Sequence, residues 1–168
     1  TSRLILGRET RNKTGEFGVL EVAEKDVRLN LSKFNPYTHK VLVEFEEVDS
    51  YRIVHHSKLL IYLERARTHF FYDHGIALEN MPYAVLVYRA NLRFIKPAYF
   101  FDELSVEVTI SNVQSFFFTV HERILRHGEV LLSADISHAL QDHVSGETIA
   151  LPDEMNAFLV SLAGGSQC

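Results

Sequence analysis

Between Ser57 and Gly75 the chain carries its one long apolar stripe at helical spacing, whereas most other ordered stretches alternate with period two. Leu59, Leu63, Ala66 and Phe70 are separated by steps of four, three and four, which aligns them on one side of a helix. Leu60, Ile61, Tyr62 and Phe71 widen the stripe until little polar surface is left, so the helix is expected to be mostly buried. Ser57 is the expected N-cap, because its hydroxyl can accept from an otherwise unpaired first-turn amide. Gly75, after Asp73-His74, is suited to a left-handed stop.

Strands fill most of the remainder. In residues 40–48, Val41, Val43 and Phe45 are expected on one face, with Glu44 and Glu46 on the other. Residues 84–94 place Ala84, Leu86, Tyr88, Ala90, Leu92 and Phe94 on an apolar face, and Lys96-Pro97-Ala98 ends that strand. Leu104, Val106, Val108 and Ile110 alternate with Ser105, Glu107, Thr109 and Ser111, the clearest strand of all. Residues 115–126 and 129–142 are joined by a short hairpin turn at His127-Gly128. Pro152 opens a terminal helix bearing Met155, Phe158, Leu159 and Leu162. An antiparallel sheet must cover its apolar face, and one long helix is available to do so. The expected fold class is α+β, an antiparallel sheet wrapped round one central helix.

With 168 residues the chain makes one domain, or a domain and an arm. Residues 1–40 hold eight Lys/Arg against five Asp/Glu, and residues 41–168 hold nine against seventeen. With the turn signal at Asn35-Pro36, this divides the chain into an arm, 1–39, and a body, 40–168. The overall charge of −5 argues against a nucleic-acid partner. No stretch is long and apolar enough for membrane insertion, and no signal-peptide layout opens the chain. The single cysteine, Cys168, cannot form an internal disulfide. A cytoplasmic location is therefore expected.

Chemistry concentrates where the first strand breaks. Asp49, His55 and His56 precede a helix N-terminus, whose unpaired amides and positive dipole suit a developing oxyanion. Spacing alone favours a turn-forming Asp and a surface Asp–His hydrogen bond over catalysis. Glu64 on the helix is expected to pair with an arginine, since buried carboxylates need partners. It could also serve as a second acid. His69 and Asp73 are only two ligands, too few for a metal site. His138 falls on an apolar face as a core or interface histidine, and Phe116-Phe117-Phe118 reads as packing. Arg89, Arg93 and Lys96 are cations in an acidic body, either a solvated strand edge or a place for substrate phosphates.

The segment Val48-Asp49-Ser50-Tyr51-Arg52-Ile53-Val54-His55-His56-Ser57 resembles the Asp-to-helix signature of hot-dog-fold thioesterases. The branch is that of 4-hydroxybenzoyl-CoA thioesterase, and the Tol–Pal-associated bacterial enzymes are the most similar. Tyr62-Leu63-Glu64-Arg65-Ala66-Arg67 matches the family's helix, and Phe94-Ile95-Lys96-Pro97-Ala98 with Asp102-Glu103-Leu104 its next passage. Gly146-Glu147 and Leu151-Pro152 fit its last turn. Two positions depart: Arg52 stands where the family usually carries Gly, and Phe45 where it often carries Tyr. The resemblance implies a hot-dog fold and hydrolysis of an acyl-CoA thioester without cofactor or metal. Asp49 would act as nucleophile or general base. The His56 amide would hold the carbonyl oxygen, with its imidazole near the sulfur or the carboxylate. It also implies a homodimer or homotetramer with the site across the interface.

Hot-dog dehydratases are the nearest enzymatic rival, but their G-H-F-P-x-x-P and D-x-x-x-x-H signatures are missing from the sequence. A non-catalytic acyl- or partner-binding protein of the same fold is the second alternative. A thioesterase acting on acyl carrier protein is the third. The resemblance does not extend to the arm, where Val27, Leu29 and Leu31 alternate with polar residues and Glu16–Val22 offers a second strand. Such a hairpin is too short for its own core and is expected to add to the sheet or clasp an oligomer. Deleting residues 1–34 should lower the melting temperature or weaken assembly, read by calorimetry and light scattering, and leave turnover intact.

Overall fold

Period-two alternation becomes a single antiparallel sheet in the computed structural model, which describes residues 36–163. The strands are β1 (Tyr37–Leu42), β2 (Tyr83–Phe94), β3 (Glu103–Val113), β4 (Phe117–Arg126), β5 (Glu129–Asp142) and β6 (Thr148–Ile149). They lie in the order β1-β3-β4-β5-β2, with β6 on β5. Helix α1 (His56–Asp73) packs on β1, β3 and β4, and α2 (Asp153–Ala163) covers β3. The arm as expected from sequence lies almost wholly outside the described residues, although its last positions begin β1. No described helix is long and apolar enough to cross a membrane.

The strongest patterns map directly onto the core. Leu104, Val106, Val108 and Ile110 of β3 are all buried against the helices, and their polar neighbours turn outwards. His127 and Gly128 take φ values of 50° and 84°, so the β4–β5 turn has both central residues left-handed, the hand that matches strand twist. In α1, Leu59, Tyr62, Leu63, Ala66, Phe70 and Phe71 are buried. From α2, Met155 and Leu159 close the far side, with Phe158 and Leu162 packed beside them.

Four expectations require correction. The first strand runs from Tyr37 to Leu42, not 40–48; Val41 and Val43 are buried as expected, but Phe45 is 77% exposed. The Glu47 carboxylate takes the Glu44 N–H at 2.8 Å, which coils Phe45–Glu47 into a 3₁₀ turn and ends the alternation. In β2 the register shifts between Val87 and Arg89, so a bulge at Tyr88 breaks the single apolar face. Leu86, Tyr88 and Phe94 are exposed. Helix α1 is buried on one face only, and Leu60, Ile61 and Glu64 lie exposed. Likewise, of the three consecutive phenylalanines only Phe118 is fully buried, while Phe116 is exposed.

The sheet–helix interior also holds charge. Arg67 of α1 donates to Glu122 of β4 at 2.6 Å, and Glu122 has no exposed surface. This is the buried arginine–carboxylate pair that sequence had placed at Glu64. Burial pushes the Glu122 carboxyl up to about 7, against the opposing pull of Arg67. His138 of β5 is buried and stacked on Phe118, with neither ring nitrogen hydrogen-bonded among the described residues. Burial and the Arg67 charge lower its pKa to about 3. A depressed histidine contributes stability that is complete above its unfolded value, near 6.5, and lost as pH falls towards 3. His138→Leu should therefore show a smaller drop in melting temperature than the parent between pH 7 and pH 5, measured by calorimetry.

Candidate active site

The strand-to-helix break is built by backbone hydrogen bonds. Val48 and Val54 bridge, and the turn between them closes through Asp49 N–H to Ile53 O and Arg52 N–H to Asp49 O, both 2.9 Å. The Asp49 carboxylate takes the Tyr51 N–H on Oδ1 at 2.8 Å. Its other oxygen has no hydrogen bond among the described residues. Asp49 is half-buried, so one oxygen is held and the other remains open for chemistry.

Helix α1 then starts two residues earlier than expected. The N-cap is His55, not Ser57: the Ser57 N–H donates to His55 Nδ1 at 3.3 Å, and the Ser57 hydroxyl lies 2.8 Å from the same nitrogen. An imidazole acceptor thus does what a hydroxyl was expected to do, and Ser57 falls inside the first turn. The Lys58 N–H bonds His55 O at 2.8 Å. The His56 N–H has no acceptor among the described residues, and it sits where the helix dipole is positive.

Asp49 and His56 line the same cavity, of about 420 Å³. Ile53, Val54 and Leu59 form one wall, and Phe94, Ile95 and Pro97 form the other. Lys96 stands among them and is ion-paired with Glu129. Mostly apolar walls with a carboxylate, a free helix-end amide and one cation make a pocket for a molecule with an apolar body and a polar reacting group. Arg89 and Arg93 do not line the cavity; both are exposed on β2, with Arg89 over the Tyr88 ring.

Elsewhere, His69 stacks on His39 at 4.5 Å, and Asp73 accepts from the Tyr37 hydroxyl at 2.5 Å. Two residues behind the cavity were not singled out from sequence. Glu47 is buried, and its carboxylate receives the hydroxyl of fully buried Tyr62 at 2.5 Å. The signal was available: a tyrosine inside an apolar helical stripe needs a partner for its hydroxyl.

Arg52 adopts φ 63°, the left-handed region, at the position where the resembled family usually carries Gly. A side chain there costs about 1 kcal/mol relative to glycine. Arg52→Gly is expected to stabilise the protein by about that amount, raising the melting temperature by a few degrees. Unaltered or lower thermal stability would show that the arginine is compensated.

Residues 43–159 match the model of the Thioesterase-like superfamily. The acyl-CoA thioesterase YbgC of Haemophilus influenzae is 27% identical over 127 residues, spanning 73% of this chain and 93% of that protein. Among solved structures, the 1,4-dihydroxy-2-naphthoyl-CoA thioesterase Slr0204 of Synechocystis superposes with a TM-score of 0.70 at 19% identity. That likeness covers 76% of this chain and 98% of the other. SAV2348 of Staphylococcus aureus, solved in complex with CoA, gives 0.72 at 15% identity, covering 80% and 87%. These two show the fold, which is the hot-dog arrangement of sheet and helix. On the span of residues matched, the chain belongs to the Thioesterase-like superfamily.

Proposed function

We propose that the protein hydrolyses an acyl-CoA thioester to a free acid and CoA. The observation that carries this reading is that half-buried Asp49 and His56, the first residue of α1, line one cavity with mostly apolar neighbours. The YbgC relative, which this chain covers nearly end to end, supports it.

In this mechanism the acyl group lies against Ile53, Leu59 and Phe94. The His56 N–H, reinforced by the helix dipole, receives the carbonyl oxygen as it gains negative charge. The free oxygen of Asp49 attacks the carbonyl carbon and expels the CoA thiolate, leaving a mixed anhydride that water then cleaves. Alternatively it draws a proton from water as that water attacks. After a single turnover in ¹⁸O water, label in the Asp49 carboxylate marks the anhydride route, with water attacking the aspartyl carbonyl; the general-base route places label in the product acid alone. Lys96 at the cavity, with Arg89 and Arg93 further along β2, attracts the CoA phosphates.

The proposed assembly is a homodimer, or a tetramer built from dimers, formed along β2. Among the described residues this twelve-residue strand pairs only with β5, and it exposes Leu86, Val87 and Tyr88. A long edge with apolar side chains is a ready template for a second copy. Its last residue, Phe94, lines the cavity, which would bring the site to the interface.

Asp49→Asn should reduce thiol release from a panel of acyl-CoAs by at least about 10²-fold with the fold retained. His56→Ala should be milder if the backbone amide alone is used. Unchanged turnover in folded Asp49→Asn would overturn the assignment. Binding of acyl-CoA by the parent without thiol release would mark a non-catalytic binder, and turnover of acyl carrier protein substrates alone would change the carrier. Light scattering is expected to show at least a dimer, and an active monomer at micromolar concentration would refute the assembly.

A further inference from the structure

We propose that Glu47 and Tyr62 are positioning residues that set the Asp49 carboxylate and the His56 amide relative to each other. The inference rests on the hydrolysis reading above. Asp49 and His56 are carried by different elements, a tight turn after the 3₁₀ segment and the first turn of α1. A catalytic pair split between two elements needs something to hold those elements in register, because a misplacement of about 1 Å costs on the order of 10²-fold in rate.

Glu47 touches both sides. Its backbone oxygen accepts the N–H of His55, the N-cap of α1, at 3.0 Å. One carboxylate oxygen accepts both the Glu44 N–H at 2.8 Å and the Tyr62 hydroxyl at 2.5 Å. Tyr62 lies in the second turn of α1, among the side chains that seat the helix on the sheet. A single residue two positions before Asp49 thus grips the helix at its cap and again further along its body. Asp49 and His56 lie between these two grips and the turn. Burial, with the Glu47 carboxylate opposite, raises the Tyr62 pKa, so the hydroxyl keeps the proton that it donates. Both side chains are buried, Glu47 at 8% exposure and Tyr62 at none, so water does not compete for the bond. The cavity walls include neither residue, which separates positioning from substrate contact.

The test compares the full-length parent with Tyr62→Phe, Glu47→Gln and Glu47→Ala. Steady-state acyl-CoA hydrolysis is read together with amide hydrogen exchange across residues 48–58 and across β4–β5. Tyr62→Phe removes one oxygen and should lower kcat at least about tenfold, with KM within about threefold. Exchange at the hydrogen-bonded His55, Ser57 and Lys58 amides should accelerate about tenfold while that of β4–β5 is unaltered. Glu47→Gln keeps a carbonyl oxygen for both donors and should recover most of the turnover that Glu47→Ala loses. Parental kcat and exchange in Tyr62→Phe would overturn the proposal. So would exchange that rises evenly through the sheet, which marks general loosening. If the parent releases no thiol from any acyl-CoA, the hydrolysis reading fails, and the exchange comparison still decides whether the clasp holds the loop.

Discussion

Burial of one face of α1 in the sheet is the constraint on which the rest of the molecule depends. A sheet of this size has an apolar face that water must not reach, and α1 with the shorter α2 is what the described chain offers to cover it. Of the six buried α1 side chains, Leu59, Leu63, Phe70 and Phe71 each contribute on the order of 1.5–3 kcal/mol on leaving water. Their joint burial fixes the rotation of the helix about its axis. That rotation in turn directs its N-terminus at the end of β2, where the cavity forms. The site is therefore a consequence of how the core packs: moving the helix by one residue would carry the His56 amide away from Phe94 and Lys96.

Apolar packing alone tolerates sliding, and the polar groups placed within it do not. Arg67–Glu122 ties the middle of α1 to β4, and Tyr62–Glu47 ties its beginning to the segment that follows β1. Replacing such a buried pair by well-packed apolar residues is often neutral or stabilising, so stability is a poor explanation for them. Register is a better one. Each pair is satisfied at one helix position only, and breaking it would leave a buried charge or hydroxyl without a partner. His138 does not fit this account: neither ring nitrogen has a hydrogen-bond partner within bonding geometry among the described residues, and its ring stacks on Phe118.

Patterns repeated over many residues were legible in the sequence. The β3 alternation, the β4–β5 hairpin with its left-handed turn, the face of α1 and the Asp49–His56 constellation all survive folding, because each is specified locally. The differences arise where one local interaction overrides a pattern. The Glu44–Glu47 hydrogen bond coils the chain at Phe45, although alternation alone would continue the strand. The bulge at Tyr88 inserts a residue that no periodicity announces. His55 displaces Ser57 as the cap because an imidazole nitrogen can accept as a hydroxyl does. The breadth of the α1 stripe was misread for another reason. Apolar residues such as Leu60 and Ile61 mark a surface that can be covered, and nothing in a single chain's sequence says by what. The role of Glu47 depends on a contact fifteen residues away, and pairings of that kind are set by tertiary packing.

Electrostatics at the cavity follow from the same packing. Residues 41–168 carry seventeen acids against nine bases, so an anionic substrate meets an unfavourable mean field. Lys96, which lines the cavity, pairs with Glu129, and Arg126 pairs with Asp102 at 2.7 Å. These two pairs differ in what they can release. Arg126 and Asp102 are both about one-fifth exposed, and Asp102 also accepts the Tyr99 N–H at 2.8 Å, so that pair is the less screened and the better held. Lys96 and Glu129 are both about half exposed, and such an ion pair is worth less than about 1 kcal/mol. A phosphate, with more charge and more acceptor oxygens than a carboxylate, can displace Glu129 at little cost. On the proposed reading, Glu129 would hold Lys96 at the cavity until the CoA phosphates take its place. On that reading the acidic body and the recognition of CoA would not conflict, since the one Lys or Arg among the cavity-lining residues is held by the weaker of the two pairs.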